Sequence, residues 1–279
     1  MKTEMKMEKR NFKGMCKQAG YWTLVLALFC NLGVALTSGD DDQQKPKAWY
    51  EDKDSLRADL ERSIIDAKSP DESKVSHTLV AINPDDPAQD WTVIDGKKMV
   101  LVAAFMNEKG AAFYESEDTF RTQKQTGIWV ALPCNWKQRS AEFVGLDSVA
   151  AQVRMAQMLG LGVDCNYDRV VEFYADPAGM FRPAFDPDIT TTTVGLTFPE
   201  YADENYTVGE THFREWFAYN LSMAYEPPYA LPWTQLGYTY DWHRGAPREG
   251  LSEFIVSYNT LAKVKSRKGA WTFIQSILK

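Results

Sequence analysis

Between Trp91 and Met106 the chain passes from a mixed apolar run, through a turn, into an almost unbroken apolar run. Trp91-Thr92-Val93-Ile94 and Lys98 to Phe105 read as two strands. Asp95-Gly96 lies between them, and both of these positions accept positive φ, as a tight hairpin turn requires. Met99 to Met106 is apolar at nearly every position, the pattern of a central strand covered on both faces. Gly127 to Leu132, stopped by Pro133, and Arg169 to Ala175 repeat that signal more briefly. Lys74 to Ile82, with Val75, His77, Leu79 and Ala81 on one side, alternates as a strand does, and Leu251 to Tyr258 and Ala270 to Leu278 are strand-like as well.

A longer period marks the helices. Leu56, Leu60 and Ile64 recur every fourth residue, with Ile65 beside them, and predict a helix over Trp49 to Lys68 that Ser69-Pro70-Asp71 ends. Asp147 is placed to cap a second helix, whose apolar face is Val149, Val153, Met155 and Met158 and which Gly160 ends. Phe213, Trp216, Phe217, Asn220 and Leu221 predict a third within Glu210 to Tyr225, and Asn135 to Gly145 a short one. Asp176 to Pro199 holds Pro177, Pro183, Pro187 and Pro199 and predicts a long irregular segment, extended through Thr190 to Phe198; Gly110 to Thr126 is also mostly loop. Strands and helices interleave without a βαβ rhythm. The expected fold is therefore α+β, a mixed or antiparallel sheet built from the central hairpin and C-terminal strands and packed with about three helices.

The N-terminus follows a different logic. Lys2, Lys6, Lys9, Arg10, Lys13 and Lys17 precede an apolar run from Tyr21 to Leu36; Thr37, Ser38 and Gly39 follow, then Asp40 to Asp42. Basic, apolar, small, polar is the order of a secretory signal peptide. Residues 1–39 are expected to be that signal, 40–48 a linker, and 49–279 one globular domain, periplasmic or secreted. Retention as a membrane anchor is the main alternative, although the apolar run is short and interrupted by Thr23, Asn31 and Gly33. Lipid attachment at Cys30 lacks the expected neighbours, and Lys9-Arg10 lacks the second arginine of a twin-arginine signal.

Charge narrows the partners. Six of the 31 basic residues but two of the 38 acidic ones lie in residues 1–39, so removing that segment deepens the formal charge of −7 to −11. This sign repels phosphate backbones and anionic lipid, so no nucleic acid is expected, and a membrane only through an uncleaved N-terminal segment. The two remaining cysteines, Cys134 and Cys165, are open to pairing or to staying as buried thiols.

No Walker loop, Gly-x-Gly-x-x-Gly, Gly-x-Ser-x-Gly or His-Glu-x-x-His is present, and no cofactor is implied. Asp164 to Asp168 imitates the start of a calcium loop but has Arg169 where glycine is needed and Ala175 where the bidentate glutamate belongs. His77, His212 and His243 are widely separated, and Asp85, Asp86 and Asp90 read as a solvated turn. Aromatics are abundant instead, with nine Trp, 13 Tyr and 14 Phe. Leu231 to Val256 concentrates them. Trp233, Tyr238, Tyr240 and Trp242, with His243, are candidate ligand-binding residues, since strand alternation puts Tyr238, Tyr240 and Trp242 on one face suited to stacking; covering a small core is the plainer use of the same rings.

The candidate catalytic residues are Arg182, Thr239, Asp241 and Glu253. Arg182, Thr239 and Glu253 imitate in order the Arg, Ser/Thr and Glu of ADP-ribosyltransferase-like toxins, in which Arg holds a phosphate and Glu supports the ribosyl cation. A glycosidase pairing of Glu253 with Asp241 or Asp188 is a second arrangement. Arg182 beside Asp186 or Asp188 also suits a buried ion pair that holds a loop.

Three segments together, MLGLGVDCNYDRVVEFYADPAGMFRPAFDPDI, LPWTQLGYTYDW and GLSEFIV, resemble a family of uncharacterised bacterial proteins. The matching residues are Phe181 to Pro183, Asp186 to Asp188, Trp233 and Thr234, Gly237 to Trp242, and Gly250 to Phe254. Ala184 and Val194 stand where such proteins often carry cysteine, and Leu231 replaces the Tyr before Pro232. The resemblance covers the C-terminal half and implies no activity. The expected function is a binding or interaction module at the bacterial envelope, its partner a small molecule, glycan or protein, with a hydrolase or ADP-ribosyltransferase-like enzyme as the alternative.

Overall fold

The architecture follows from which strands share a buried face. The computed structural model describes residues 48–115, 118–228 and 230–279; the expected signal and all of the linker but Ala48 lie outside them. Among the described residues twelve strands run in chain order: β1 Trp91–Ile94, β2 Lys97–Met106, β3 Thr119–Arg121, β4 Ile128–Val130, β5 Arg169–Ala175, β6 Met180–Phe181, β7 Thr207–Val208, β8 Thr211–His212, β9 Tyr238–Tyr240, β10 Glu249–Ser252, β11 Phe254–Val256 and β12 Leu261–Gly269. The helices are α1 Lys53–Ala67, α2 Glu108–Ala111, α3 Pro133–Gln138, α4 Ser148–Met158, α5 Phe213–Ala224 and α6 Ala270–Ile277. The fold is α+β, and every strand pair is antiparallel.

A five-stranded sheet has the order β1-β2-β5-β12-β3, and a three-stranded sheet the order β4-β11-β6. Two links join them. Ala103 of β2 and Ala131, just after β4, exchange backbone hydrogen bonds at 2.9 and 3.1 Å. Four residues, Ser257 to Thr260, carry β11 directly into β12. The strands β2, β5, β12/β11 and β4 therefore close on themselves. Alternation fills the inside of this ring. Val102 pairs with Phe173 and Ala104 with Val171; Val264 pairs with Phe173, Phe254 with Val130 and Val256 with Ile128, and all of these side chains share one core.

Helices cover the outside in two groups. Trp136 and Phe143, Met155 and Met158 of α4, and Phe273, Ile274 and Ile277 of α6 pack over Ala103, Ala131 and Val170. Phe213, Trp216 and Phe217 of α5, with Trp233, pack over Phe181, Ile255 and Trp129. The first group explains the C-terminus. Ala270 to Leu278 is the helix α6 and not a strand, because Ala270, Phe273, Ile274 and Ile277 fall at helical spacing and are buried together. The preceding charged stretch, Leu261 to Gly269, is β12; Lys263 and Lys268 pair with Tyr174 and Val170 on the outer side, Arg267 donates to Ala111 O, and Lys268 Nζ meets the buried Glu172 at 2.6 Å.

Three further differences have local causes. Lys74 to Ile82 forms no strand; it is pinned by Leu79 N–H to Thr192 O at 3.0 Å and Ile82 N–H to Ile189 O at 2.8 Å, and His77 is exposed. The piece Thr190 to Phe198 that holds it is itself irregular. On α4 Met155 and Met158 face the core as expected, but the buried side also carries Arg154 and Gln157 while Val149 is 55% exposed, since an ion cluster shares that surface with the apolar core. Asp147 caps α4 as expected, accepting from Val149 and Ala150 N–H. The hairpin also matches its turn chemistry, with Asp95 at φ 50° and Gly96 at φ 77°.

Gly250 marks the tightest backbone approach. A Cβ there would lie 2.4 Å from Met158 O and 2.6 Å from Thr239 O. Gly250→Ala is expected to cost about 1–3 kcal/mol through this overpacking, read as a lower urea midpoint with an unchanged slope.

Candidate functional site

The site begins where the ring fails to close. Past the Ala103–Ala131 pair, β2 continues through Phe105 while β4 runs back through Trp129, and no further rung joins them. Alternation aims the backbone N–H and C=O groups of Phe105 and Trp129 into this gap. The gap widens into a cleft of about 820 Å³. The two helical covers form its walls: Trp136 and the Leu159-Gly160-Leu161 turn after α4 on one side, and Asn220, Met223 and Ala224 of α5 with Leu231, Pro232 and Trp233 on the other. Tyr114, Phe120 and Tyr167 extend the aromatic lining. Trp129 and Trp233 meet edge to face with centroids 6.4 Å apart.

Among the described residues Glu253 is the one carboxylate on this lining. It sits between β10 and β11, its N–H donating to Gly237 O at 3.1 Å. Phe254 faces the ring interior, so Glu253 is turned toward the outside, where the cleft lies. The residue is 5% exposed, and its Oε1 is enclosed without a hydrogen-bond partner. Burial pushes its pKa up to about 8, although the Arg182 charge pulls the other way. At neutral pH the carboxyl mostly keeps its proton.

Arg182 lies behind Glu253 and outside the cleft lining. It is fully buried, and it donates to four carbonyls: Asp188 O at 3.2 Å, Gly237 O at 3.4 Å, Val80 O at 3.1 Å and Thr191 O at 2.9 Å. Its guanidinium stacks 4.7 Å from the Phe254 ring centroid. Burial lowers its pKa to about 10, with Asp188, Glu253 and Asp186 opposing, and it stays charged at neutral pH. Gly237, at φ 83°, leaves the space: a Cβ there would lie 2.5 Å from Arg182 Cδ.

Asp241 belongs to a separate buried cluster. Arg154 Nη1 and Nη2 donate to its two oxygens at 2.8 and 2.6 Å, and Arg139 Nη2 reaches Oδ2 at 3.2 Å. Glu142 bridges the same two arginines, which hold its carboxyl below the usual range despite burial. His243 N–H caps Asp241 Oδ1, and the His243 ring meets Gln157 Oε1 at 3.0 Å; burial and then Arg154 lower its pKa. Thr239 Oγ1 donates to Met158 O and accepts from Leu251 N–H, so both sides of its hydroxyl are engaged in packing.

The four candidate catalytic residues therefore do not meet around one opening. Thr239 and Glu253 line the cleft, Arg182 is walled off by carbonyls, and Asp241 faces α4. Of the aromatic candidates, Trp233, Tyr238 and Tyr240 line the cleft, whereas Trp242 is buried with its Nε1 donating to Leu161 O. Tyr238 is 2% exposed and donates to Lys74 O; Tyr240 is half-buried and donates to Asp66 Oδ2. Sequence reasoning missed Phe105, Trp129, Trp136 and Tyr167. Each stands in or beside an apolar run that reads as core, and only the gap beyond Ala103 turns them toward a cavity.

Among the described residues no group of three or more His, Cys, Asp or Glu is placed to hold a metal, and Cys134 and Cys165 are free thiols. Asp85 N–H and Ala88 N–H are capped by Asn83 and Asp86, the turn role expected for that loop. No protein-family model matches the chain, and the searches of curated proteins and of solved structures return no match either.

Two outcomes follow from the electrostatics. Asp241→Ala leaves Arg139 and Arg154 with Glu142 as their one shared carboxylate and the Arg154 Nη1 donor unpaired, and is expected to cost about 3 kcal/mol in urea unfolding. Glu253→Gln removes a titration. With a folded pKa of about 8 against an ordinary 4.5, the protonated carboxyl contributes stability that is complete below the lower value and lost as pH rises through the higher one. Wild-type stability should fall relative to Glu253→Gln across that window, by about 1.4 kcal/mol per pH unit at most. Urea curves collected from acid to mildly alkaline pH check this, and a constant difference between the two proteins contradicts it.

Proposed function

We propose that this protein is an exported binding module that takes a small, largely apolar ligand into the cleft between β2 and β4. The observation that carries this reading is the Glu253 carboxyl, its Oε1 enclosed without a partner, at a cleft lined mostly by aromatic and aliphatic side chains, with Arg121, Lys124 and a few neutral polar residues besides. Ligand sites are typically concave and apolar with a few placed polar groups, and buried polar atoms are ordinarily paired, so an orphan at such a wall marks where a ligand supplies the partner. Export rests on the basic, apolar, small and acidic order of residues 1–42. The enzyme alternative asks for a second charged group within reach of Glu253 and open to the same cleft. Arg182 and Asp241 are both committed elsewhere, to backbone carbonyls and to two arginines.

The full chain is expected to bind the neutral apolar dye N-phenyl-1-naphthylamine saturably at one site, with quenching of tryptophan fluorescence. Leu231→Trp, which fills the cleft wall, should weaken binding at least about tenfold without lowering stability. Binding that does not saturate, or that Leu231→Trp leaves unchanged, overturns the assignment.

A further inference from the structure

The Glu253 end of the cleft also indicates the chemical class of the ligand, an inference that rests on the cleft being a ligand site. Three observations converge there. Glu253 is 5% exposed as a residue, and its enclosed Oε1 has no partner. Aromatic residues from separate segments line the same cavity: Trp129 and Tyr240 are half-buried there, and Trp233 and Tyr238 form its buried backing. The remaining lining nearby is apolar, with Leu159, Leu161, Leu231 and Pro232. A neutral hydrogen-bond donor would satisfy the oxygen but make little use of the ring faces. A cationic nitrogen uses both, because aromatic faces attract positive charge and a carboxylate neutralises it. We propose that the cleft binds an organic ammonium ion with an apolar tail, its nitrogen on the Glu253 carboxyl and its tail along Trp129 and Phe105.

The neighbouring charges allow this. Arg182 is the cation closest in effect to Glu253, but four carbonyls and the Phe254 ring surround its guanidinium. The Tyr225 hydroxyl, the other titratable group that Glu253 influences, donates to Trp233 O and accepts from Gln235. Arg121 and Lys124 also line the cleft, but they precede β4, whereas Glu253 follows the register toward Ala131 at the other end of that strand. The acidic chain favours approach of cations over anions.

Binding then moves one proton. The unliganded carboxyl is mostly protonated at pH 7, since its pKa lies at about 8. The ammonium keeps all its protons and pairs with the carboxylate, so the carboxyl proton leaves to solvent: COOH plus R-NH₃⁺ gives COO⁻ paired with R-NH₃⁺, plus H⁺.

The test is titration calorimetry of the full chain with 2-phenylethylamine, its neutral counterpart 2-phenylethanol and the anion 3-phenylpropanoate, in buffers of different ionisation enthalpy. The expected result is that only the amine binds well, with release of about 0.9 proton at pH 7 and an affinity that rises nearly tenfold per pH unit below about 8. Glu253→Gln should abolish that release and weaken the amine at least about tenfold. Should the Gln variant fold poorly, proton release by the wild type carries the same information. Equal binding of amine and alcohol, or amine binding with no proton release, overturns the ammonium assignment while leaving the cleft intact if the naphthylamine dye still binds saturably. Loss of saturable dye binding as well overturns the cleft reading itself.

Discussion

One guanidinium holds together the part of this protein that has no ladder to hold it. The segments around Val80, Asp188 to Thr191 and Gly237 form almost no regular structure, yet each turns a carbonyl onto Arg182. A buried charge without compensation is too costly to persist. Four oriented carbonyls and one ring face provide the compensation here, and in doing so they fix the course of three loops. Gly237 at this point is a packing requirement, because any side chain would strike the aliphatic stem of the arginine that the loop is wrapped around.

That arrangement has consequences next door. The carbonyls that satisfy Arg182 take up its donors, so Glu253 receives its field but no hydrogen bond from it. A fully formed Arg–Glu pair would have produced an inert ion pair. The geometry instead leaves a mostly neutral carboxyl at the wall of a largely apolar cleft. The Arg139, Glu142, Arg154 and Asp241 cluster shows the opposite outcome within the same chain: direct contacts on all sides, and ionised groups whose role is to lock α4 against the loop after β9.

The cleft itself is a by-product of ring closure. Four strand segments can enclose the Val102, Phe173 and Phe254 core only if β2 and β4 meet, and they meet at a single pair. Their divergence leaves backbone groups of Phe105 and Trp129 facing each other across a gap, and the two helical covers stop short of it on either side. A hydrophobic core, a ring and a ligand-sized opening thus arise from one strand crossing.

What the sequence determined by itself was whatever depends on near neighbours. Asp95-Gly96 specified its hairpin, Asp147 its cap, the run Met99 to Ala104 a strand buried on both faces, and the aromatics of Phe213 to Phe217 a helix that packs on one side. Tertiary structure decided everything that depends on a distant partner. Leu261 to Gly269 is too charged to announce a strand, and it is one because β5 and β3 supply its rungs and Glu172 takes up Lys268. Ala270 to Ile277 had the helical spacing, but its aromatic and β-branched content is equally at home in a strand until the α3 and α4 surface receives it. Leu231 to Val256 was the most distinctive stretch, and most of its rings became core. Whether Glu253 would be an ion pair, a solvated surface group or an enclosed acid was never a property of its neighbours in sequence, because ionisation is set by the charges and dielectric that the whole fold brings around a group.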